Sequence, residues 1–424
     1  MLANTPRVKE QLDHCGLDAL AVAMPVSVAY ATGHECSFET TFRGSMLFPG
    51  GGPERFFRSF AVLSANGQTA LVSHAALAVT SYLDWNGALE VYGADGFDPA
   101  LAADVPVALR ALAERIASRT AERGAMEALA SAISTVAPGA QRIGVERVGL
   151  LPPDLPALRQ ALATDVELRD ASMLARLIRM VKTADEVERL TVAAEIGELG
   201  LRALIDAAEP GVDLAVLCDR FRALVADRGA EYDHVAVGPR GLGIALGRHV
   251  FEPGEVTMLD VGCRFRGCVS DTGVTIALSP ASGRVEEEYA ALLASVEAGR
   301  ARLRPGERVV DVYRAMRAAV DGSPAAASKP QGHGLGQEPK ELPFIAPVAG
   351  ERLADECVDI DADLGLEEGM VINLEVPLEV PGSRSLQIEQ SFLITAGGAE
   401  PLVSQRRERV EASGSLAGSP AASS

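Results

Sequence analysis

The chain has 424 residues, 48% of them hydrophobic, and its formal net charge at pH 7 is −19. This length predicts two or three domains, and the acidity excludes a nucleic-acid-binding function, which requires a basic surface. No segment approaches the roughly 18 apolar residues of a membrane span, and the first residues lack the apolar core of a signal peptide. The six cysteines have no metal-binding spacing and are typical of reduced, buried thiols. We therefore expect a cytoplasmic protein with neither a membrane nor a nucleic acid as partner.

Residues 1–175 are predicted to form an α/β domain, because short apolar runs alternate with segments of helical periodicity. Asn66-Gly67 lies between two of the apolar runs and is a strong hairpin signal. The predicted strands are residues 17–24, 60–64, 69–73, 89–92 and 142–146, and the predicted helices are residues 107–119 and 155–163.

A second domain is predicted for residues 178–408. Thr183 and Glu186 have the spacing of a capping box, so a helix is expected to begin there and to run to about residue 208. Further along the chain, helix–helix–strand order occurs twice. Residues 409–424 are small and polar without periodicity, and this composition predicts a disordered tail.

Four carboxylates and one histidine stand out in the second domain. The carboxylates lie in apolar, strand-like runs, where burial of a bare charge is very costly unless it is paired or binds a metal. The histidine lies in the glycine-rich turn Gly332–Gly336. Such a set of oxygen and nitrogen donors suits two divalent cations that share bridging oxygens. The predicted ligands are Asp260, Asp271, His333, Glu375 and Glu389.

The order Asp-Asp-His-Glu-Glu resembles that of the pita-bread metallopeptidases. The local motifs are Met-Leu-Asp-Val-Gly, Val-Ser-Asp-Thr-Gly, Gly-His-Gly-Leu-Gly, Asn-Leu-Glu-Val-Pro and Gln-Ile-Glu-Gln-Ser. The resemblance covers residues 178–405, and the preceding domain is similar in size and pattern to that of the prolidase, aminopeptidase P and creatinase branch. It implies an α/β N-terminal domain, an α+β pita-bread catalytic domain and a homodimer.

The resemblance also implies a role for each ligand. Asp271 and Glu389 would bridge two metal ions, and Asp260 would hold one of them. His333 and Glu375 would hold the other. The family uses manganese, cobalt, zinc or iron, and carboxylate-rich coordination with one histidine favours manganese. A hydroxide bridging the ions would attack a carbonyl carbon, and Glu375 would move a proton to the leaving nitrogen.

A lysine stands where the family has its second histidine. The family motif continues Gly-His-Gly-x-Gly with a histidine and a glutamate, and this chain has Lys340 and Glu341 at those positions. Lysine lacks an acceptor and cannot do the acid–base work of imidazole unless its pKa is depressed. We expect Lys340 and Glu341 to bind substrate, with Lys340 holding a carboxylate or an oxyanion. A proton-carrying role and a solvated loop lysine remain as alternatives for Lys340.

The family's other histidine precedes the first aspartate, in a loop that is shorter here. Either His249 is its counterpart and catalytic, or Arg248 replaces it with a carboxylate-binding guanidinium. Gln387 and Gly273 stand where the family often has an arginine and a threonine, which changes the hydrogen bonds around the ligands. His234 belongs to no motif and receives no role beyond a place at the border of the cleft.

The sequence therefore predicts a dinuclear metal-dependent hydrolase that cleaves a C–N bond in a short peptide or a small amide, in the manner of an Xaa-Pro dipeptidase or aminopeptidase. The alternative is a non-peptidase relative that acts on a small amino-acid-derived metabolite, such as an ectoine hydrolase-like amidohydrolase or a metal-dependent lyase. Replacement of the substrate-handling histidines favours this alternative. A non-catalytic binding module is a third possibility, which the complete set of ligands argues against.

Overall fold

The computed structural model describes residues 3–35, 57–93, 104–117, 124–404 and 410–412. These residues divide into two compact units. The first unit comprises the described residues up to Arg179 together with Arg352–Ile360, and the second comprises the other described residues from Met180 onward. None of the described helices is long and apolar enough to cross a membrane.

The first unit is built on a six-stranded sheet. Its strands are β1 (Ala19–Val22), β2 (Phe60–Ser64), β3 (Thr69–His74), β4 (Ala88–Tyr92), β5 (Arg142–Val145) and β6 (Glu167–Asp170), in the spatial order β4-β3-β2-β1-β5-β6. Its helices are α1 (Thr5–Cys15), α2 (Pro25–Thr32), α3 (Ala78–Asp84), α4 (Val107–Ala117), α5 (Ala125–Val136), α6 (Asp154–Ala161) and α7 (Ser172–Arg179). The predicted hairpin is present, because β2 and β3 pair antiparallel and Gly67 adopts a φ of 84° in the turn between them.

The second unit contains an eleven-stranded sheet. Its helices are α8 (Ala184–Ile205), α9 (Leu214–Asp227), α10 (Gly283–Arg300) and α11 (Val309–Val320). The strands from here to the end of the chain are β7 (Glu231–Val237), β8 (Ala245–Leu246), β9 (Val256–Phe265), β10 (Cys268–Val269), β11 (Thr272–Ala277), β12 (Gln331–Gly334), β13 (Glu341–Ile345), β14 (Arg352–Ala354), β15 (Asp359–Asp361), β16 (Val371–Glu375), β17 (Leu378–Val380), β18 (Arg384–Leu386), β19 (Glu389–Thr395), β20 (Gly398–Pro401) and β21 (Glu411–Ala412).

The central path of this sheet runs in the order β13-β12-β16-β19-β11-β9-β7-β8. One face packs on α8 and α9, and Leu259 and Val261 of β9 are fully buried in that core. Side chains alternate along a strand, so Asp260 projects from the opposite face. Helix α8 begins at the predicted capping box, where the Thr183 hydroxyl accepts a hydrogen bond from the backbone N–H of Glu186.

Two segments depend on partners that are distant in the sequence. Within the first unit, Arg147 forms an ion pair with Glu356, and the backbone N–H of Met173 donates to Asp355. The predicted domains are continuous in sequence and do not include Arg352–Ile360 in the first unit.

The predicted disordered tail lies outside the described residues except for 410–412. There Glu411–Ala412 pairs in parallel with β11 through backbone hydrogen bonds, which composition does not reveal.

Candidate metal centre

Neighbouring strands of the second unit bring the predicted carboxylates into one row. Asp260 of β9 lies opposite Gly273 of β11, and Gly273 lies opposite Glu389 of β19. Glu389 in turn lies opposite Glu375 of β16. Asp271 precedes Gly273 by two residues and so projects from the same face of the sheet. Strand pairing therefore gathers residues that are more than 100 positions apart in the chain.

Asp271 links two groups of ligand atoms. One atom from each of Asp271, His333 and Glu389 lies within 4.8 Å of the others. The same holds for His234, Asp260 and Asp271. Because Asp271 belongs to both groups, two cations held by them would share its carboxylate. This geometry matches the arrangement that a pair of bridged divalent ions requires.

His333 presents a buried ring nitrogen to the carboxylates. Its Nδ1–H donates to the Gly334 carbonyl oxygen at 3.1 Å, which leaves the lone pair on Nε2. Nε2 lies 3.7 Å from Asp271 and 3.9 Å from Glu375 and has no hydrogen-bond partner among the described residues. Burial lowers the pKa of His333 to about 4, so the ring is neutral at pH 7. A neutral imidazole with a buried lone pair suits a metal ligand.

Burial and mutual repulsion raise the pKa values of the clustered carboxyl groups. Burial is the largest cause for Asp271 and Glu389, and the charge of Asp260 adds to it, so both pKa values lie well above the ordinary range. Burial also raises the pKa of Glu375, against the opposing charge of Lys340. Divalent cations would offset this repulsion by replacing protons. The donors present therefore fit two such ions.

Two amide side chains hold Glu389 in place. Asn373 donates to Oε1 and Gln387 donates to Oε2, each at 2.8 Å. Gly273 provides the space for this arrangement, because a Cβ there would lie 2.7 Å from Gln387 Nε2 and 2.8 Å from Glu389 Oε2. The two departures from the family pattern, Gln387 and Gly273, thus belong to one packing arrangement.

Lys340 lies at the edge of the cluster. Its Nζ is 3.2 Å from Glu375 Oε1, and its side chain is 56% exposed. Although partial burial opposes the charge, the Glu375 carboxylate raises the pKa of Lys340. The ammonium group is therefore charged at neutral pH, and a charged lysine donates hydrogen bonds but accepts no proton.

Glu341 lies beneath the turn that leads to Lys340. Its Oε2 accepts a 2.8 Å hydrogen bond from the buried Lys182, and its Oε1 accepts from the backbone N–H groups of Gln337 and Glu338. The Glu341 side chain is only 4% exposed. Because both oxygens accept hydrogen bonds inside the fold, Glu341 shapes the turn, and its contact with substrate stays a prediction. Lys182, its partner, was not anticipated.

His249 and Arg248 lie in the connection between β8 and β9. His249 Nε2 is 2.8 Å and 3.0 Å from the two oxygens of Glu255, and its ring contacts Phe251 edge-on. Arg248 is exposed. Within the described ranges, no hydrogen bond or ion pair joins either residue to the carboxylate cluster. Their roles in catalysis or substrate binding stay predictions without a supporting contact.

His234 of β7 reaches the cluster although no motif pointed to it. Its Nε2 lies 3.1 Å from Asp260 Oδ1 and 3.6 Å from Asp271 Oδ1, and its Nδ1 lies 2.9 Å from Asp233 Oδ2. Burial opposes a charged ring, yet the hydrogen bonds to Asp233 and Asp260 raise the pKa of His234 to about 10. Its approach depends on the pairing of β7 with β9, which has no local signature in the sequence.

Comparison with known proteins adds independent information. The sequence profile of metallopeptidase family M24 matches residues 188–396. An uncharacterized peptidase of Bacillus subtilis is 24% identical over 293 residues, which cover 66% of this chain and 79% of that relative. The Xaa-Pro dipeptidase of Pyrococcus furiosus is 27% identical over 240 residues, which cover 54% of this chain and 65% of that enzyme. The solved structure of an Xaa-Pro dipeptidase from Bacillus anthracis matches with a TM-score of 0.70 and 19% identity, covering 96% of this chain and 98% of that chain.

Proposed function

This chain belongs to metallopeptidase family M24, and we propose that it is a dinuclear metal-dependent peptidase of the Xaa-Pro type, cleaving the C–N bond of a short peptide. Its solved relatives confirm the predicted fold, an α/β domain followed by a pita-bread domain. The observation that carries the proposal is the pair of ligand groups joined by Asp271. Nε2 of His333, which lies beside that carboxylate and has no hydrogen-bond partner in the described part of the chain, supports it.

We propose the ligand roles that the resemblance to the pita-bread metallopeptidases implies. Asp271 and Glu389 would hold both ions, and Asp260 would hold one. His333 and Glu375 would hold the other. Manganese is the ion we propose, with cobalt, zinc and iron as alternatives, because carboxylate oxygens dominate this donor set.

In the proposed hydrolysis, the metal ions and the side chains of the protein would have different tasks. When bound, the ions would make water a nucleophile at neutral pH and polarise the scissile carbonyl group. Glu375 would accept the proton of that water and pass it to the leaving nitrogen. Asn373 and Gln387 keep Glu389 oriented, since each donates to one of its oxygens. Lys340 would bind a carboxylate of the substrate from the exposed edge of the cluster.

We also propose a homodimer that acts in the cytoplasm on small peptides. The dimer follows from the resemblance to the prolidase and aminopeptidase P branch. The cytoplasm is supported by the described cysteines, which are free thiols and therefore suit a reducing compartment: Cys15, Cys218, Cys263, Cys268 and Cys357.

A substrate panel tests the proposed activity. We expect protein loaded with Mn(II) to release free amino acids from Xaa-Pro dipeptides, because the residues for two ions and a proton-transferring carboxylate stand on one face of the sheet. Released amino acids are measured by chromatography. The control is the same protein stripped by a chelator, which should be inactive and should recover when metal is returned.

The outcomes separate the candidate activities. Turnover of dipeptides alone supports a prolidase-like enzyme, and cleavage of Xaa-Pro tripeptides as well supports an aminopeptidase. If protein shown to hold two metal ions turns over neither, the peptidase proposal is wrong. The next candidate substrates would be small amides, cyclic amidines, ureas and lyase substrates, because Lys340 replaces the family histidine that handles peptide substrates.

Lys340→Met tests the substrate contact. We expect kcat/KM for dipeptides with a free carboxylate to fall about 10- to 100-fold, mainly through KM, because a hydrogen bond to a charged group contributes about 1.5–3 kcal/mol. Dipeptide amides, which lack that carboxylate, should change much less. Steady-state kinetics on both substrate series measure the difference.

A matched control is available for this variant. Lys329 is 75% exposed and lies 3.6 Å from Glu379 at the surface, so Lys329→Met should leave the kinetics unchanged. Equal losses for the free acids and the amides in Lys340→Met would show that Lys340 acts on Glu375 rather than on the substrate.

A further inference from the structure

A bulge in β7 turns His234 toward the carboxylate cluster. Tyr232 and His234 pair with consecutive residues of β9, the second of which is Gly262, so Asp233 is an extra residue on β7. A bulge of this kind re-aims the side chains on its strand and is common beside active sites. Gly262 follows Asp260 by two residues, so His234 and Asp260 project from the same face of the sheet.

Gly262 leaves the space that the imidazole fills. A Cβ at this position would lie 2.5 Å from Cε1 and 2.7 Å from Nδ1 of His234, so any larger residue would displace the ring. Asp233 holds the ring at the same edge, with its Oδ2 2.9 Å from Nδ1. Nε2 is therefore the nitrogen that faces the carboxylates.

Of the two distances from Nε2 to the carboxylates, one lies in the range expected for ligands of a common ion and the other is slightly above it. Two donor atoms that each lie about 2.1 Å from one metal are roughly 3.0–3.4 Å apart at octahedral or tetrahedral angles. Nε2 of His234 is 3.1 Å from Asp260 Oδ1 and 3.6 Å from Asp271 Oδ1. These three residues form one of the two ligand groups in the cluster.

We propose that His234 is a further metal ligand, binding through Nε2 the ion that Asp260 and Asp271 hold. This inference rests on the proposed dinuclear function and adds to it. Each ion would then have one imidazole, His333 on one side and His234 on the other. Asp233 accepts the Nδ1–H and so orients the ring to bind through Nε2, where a bound ion would replace the proton, as carboxylate partners of metal-binding histidines do.

The extra nitrogen has a consequence for the choice of ion. Imidazole suits zinc, iron and cobalt, whereas manganese prefers sites made of oxygen donors. We therefore expect the imidazole of His234 to raise the preference of its ion position for Co(II) over Mn(II). Removing the imidazole should therefore weaken Co(II) binding more than Mn(II) binding.

Titration of the full-length protein with Co(II) tests the assignment. The metal-free wild type should bind two Co(II) ions, measured by elemental analysis, and should show a visible ligand-field spectrum. His234→Ala should retain one tight ion, bind the other more than about 100-fold more weakly, and show a changed spectrum, because loss of even an outer partner of a metal-binding histidine costs about 10- to 100-fold. His234→Gln has a polar side chain of similar length and should give the same loss. It shows that the loss comes from the missing imidazole rather than from collapse of the site after truncation to alanine.

Control variants separate this result from general damage. Asp233→Ala should weaken the same ion by a smaller factor, because the ring loses its orientation but not its nitrogen. His14→Ala removes an exposed histidine of the first unit and should leave both affinities and the spectrum unchanged. Circular dichroism of each variant verifies folding.

The possible failures are distinguishable. If the wild type binds no Co(II), the proposed dinuclear function is wrong, and the role of His234 is wrong with it. If both folded His234 variants bind two ions with wild-type affinity and spectrum, the dinuclear centre stands and His234 is not a ligand.

Discussion

Glu389→Gln is expected to abolish tight binding of both metal ions and to lower kcat/KM by at least about 10³-fold, or about 4 kcal/mol of transition-state stabilisation. Both oxygens of Glu389 already accept hydrogen bonds from the amide groups of Asn373 and Gln387. A glutamine would replace one oxygen with an NH₂ group, which would face an amide donor, and would remove the charge that two cations share. Elemental analysis and dipeptide turnover measure the two effects.

The same substitution at the surface is the control. Glu379 is 41% exposed, and its ion partner Lys329 lies 3.6 Å away, so Glu379→Gln should keep both ions and full activity. A Glu389→Gln protein that retained two ions and more than a tenth of the activity would contradict the bridging role of Glu389.

Lys182→Met is expected to lower the free energy of unfolding by about 3–5 kcal/mol, the usual cost of removing one partner of a buried ion pair. The Lys182 side chain is fully buried, and its Nζ lies 2.8 Å from Glu341 Oε2. The substitution leaves the Glu341 charge buried without that ammonium group. Burial already raises the pKa of the nearby Glu186 to about 7, against the charge of Lys182, so a second carboxyl also loses a favourable neighbour. Urea unfolding followed by circular dichroism measures the loss.

Two further variants define the origin of that loss. Lys329→Met removes an exposed lysine of the same unit and should change stability by less than about 0.5 kcal/mol. Lys182→Met combined with Glu341→Gln should cost less than Lys182→Met alone, because the glutamine oxygen still accepts from the backbone and the charge of Glu341 is gone. A loss below about 1 kcal/mol in Lys182→Met would show that the pair is not a stabilising contact.

Local features of this chain could be predicted from the sequence because their causes lie within a few residues. The Asn66-Gly67 turn depends on backbone angles that these residue types adopt easily, and the structure contains the hairpin. The capping box at Thr183 depends on a side chain and a backbone N–H three residues apart. The fold class followed from the alternation of such elements and from the resemblance that the ligand motifs carry.

The candidate ligands could also be identified from the sequence, because a carboxylate in an apolar strand is costly without a partner. Asp260, Asp271, Glu375 and Glu389 met that condition, and the strand pairing places them on one face. Their residue type and immediate neighbours contained the signal.

Other features were decided by the tertiary structure. His234 reaches the cluster because one extra residue on β7 sets its register against β9, and Gly262 leaves the space for its ring. Glu341 lies beneath its turn because Lys182, 159 positions earlier in the chain, is buried against it. Strand register, bulges and buried ion pairs join residues that are far apart in sequence, and their energies depend on distances that only the folded chain defines. The sequence alone therefore identified five candidate ligands, and the packing determined which groups meet at the site, His234 among them.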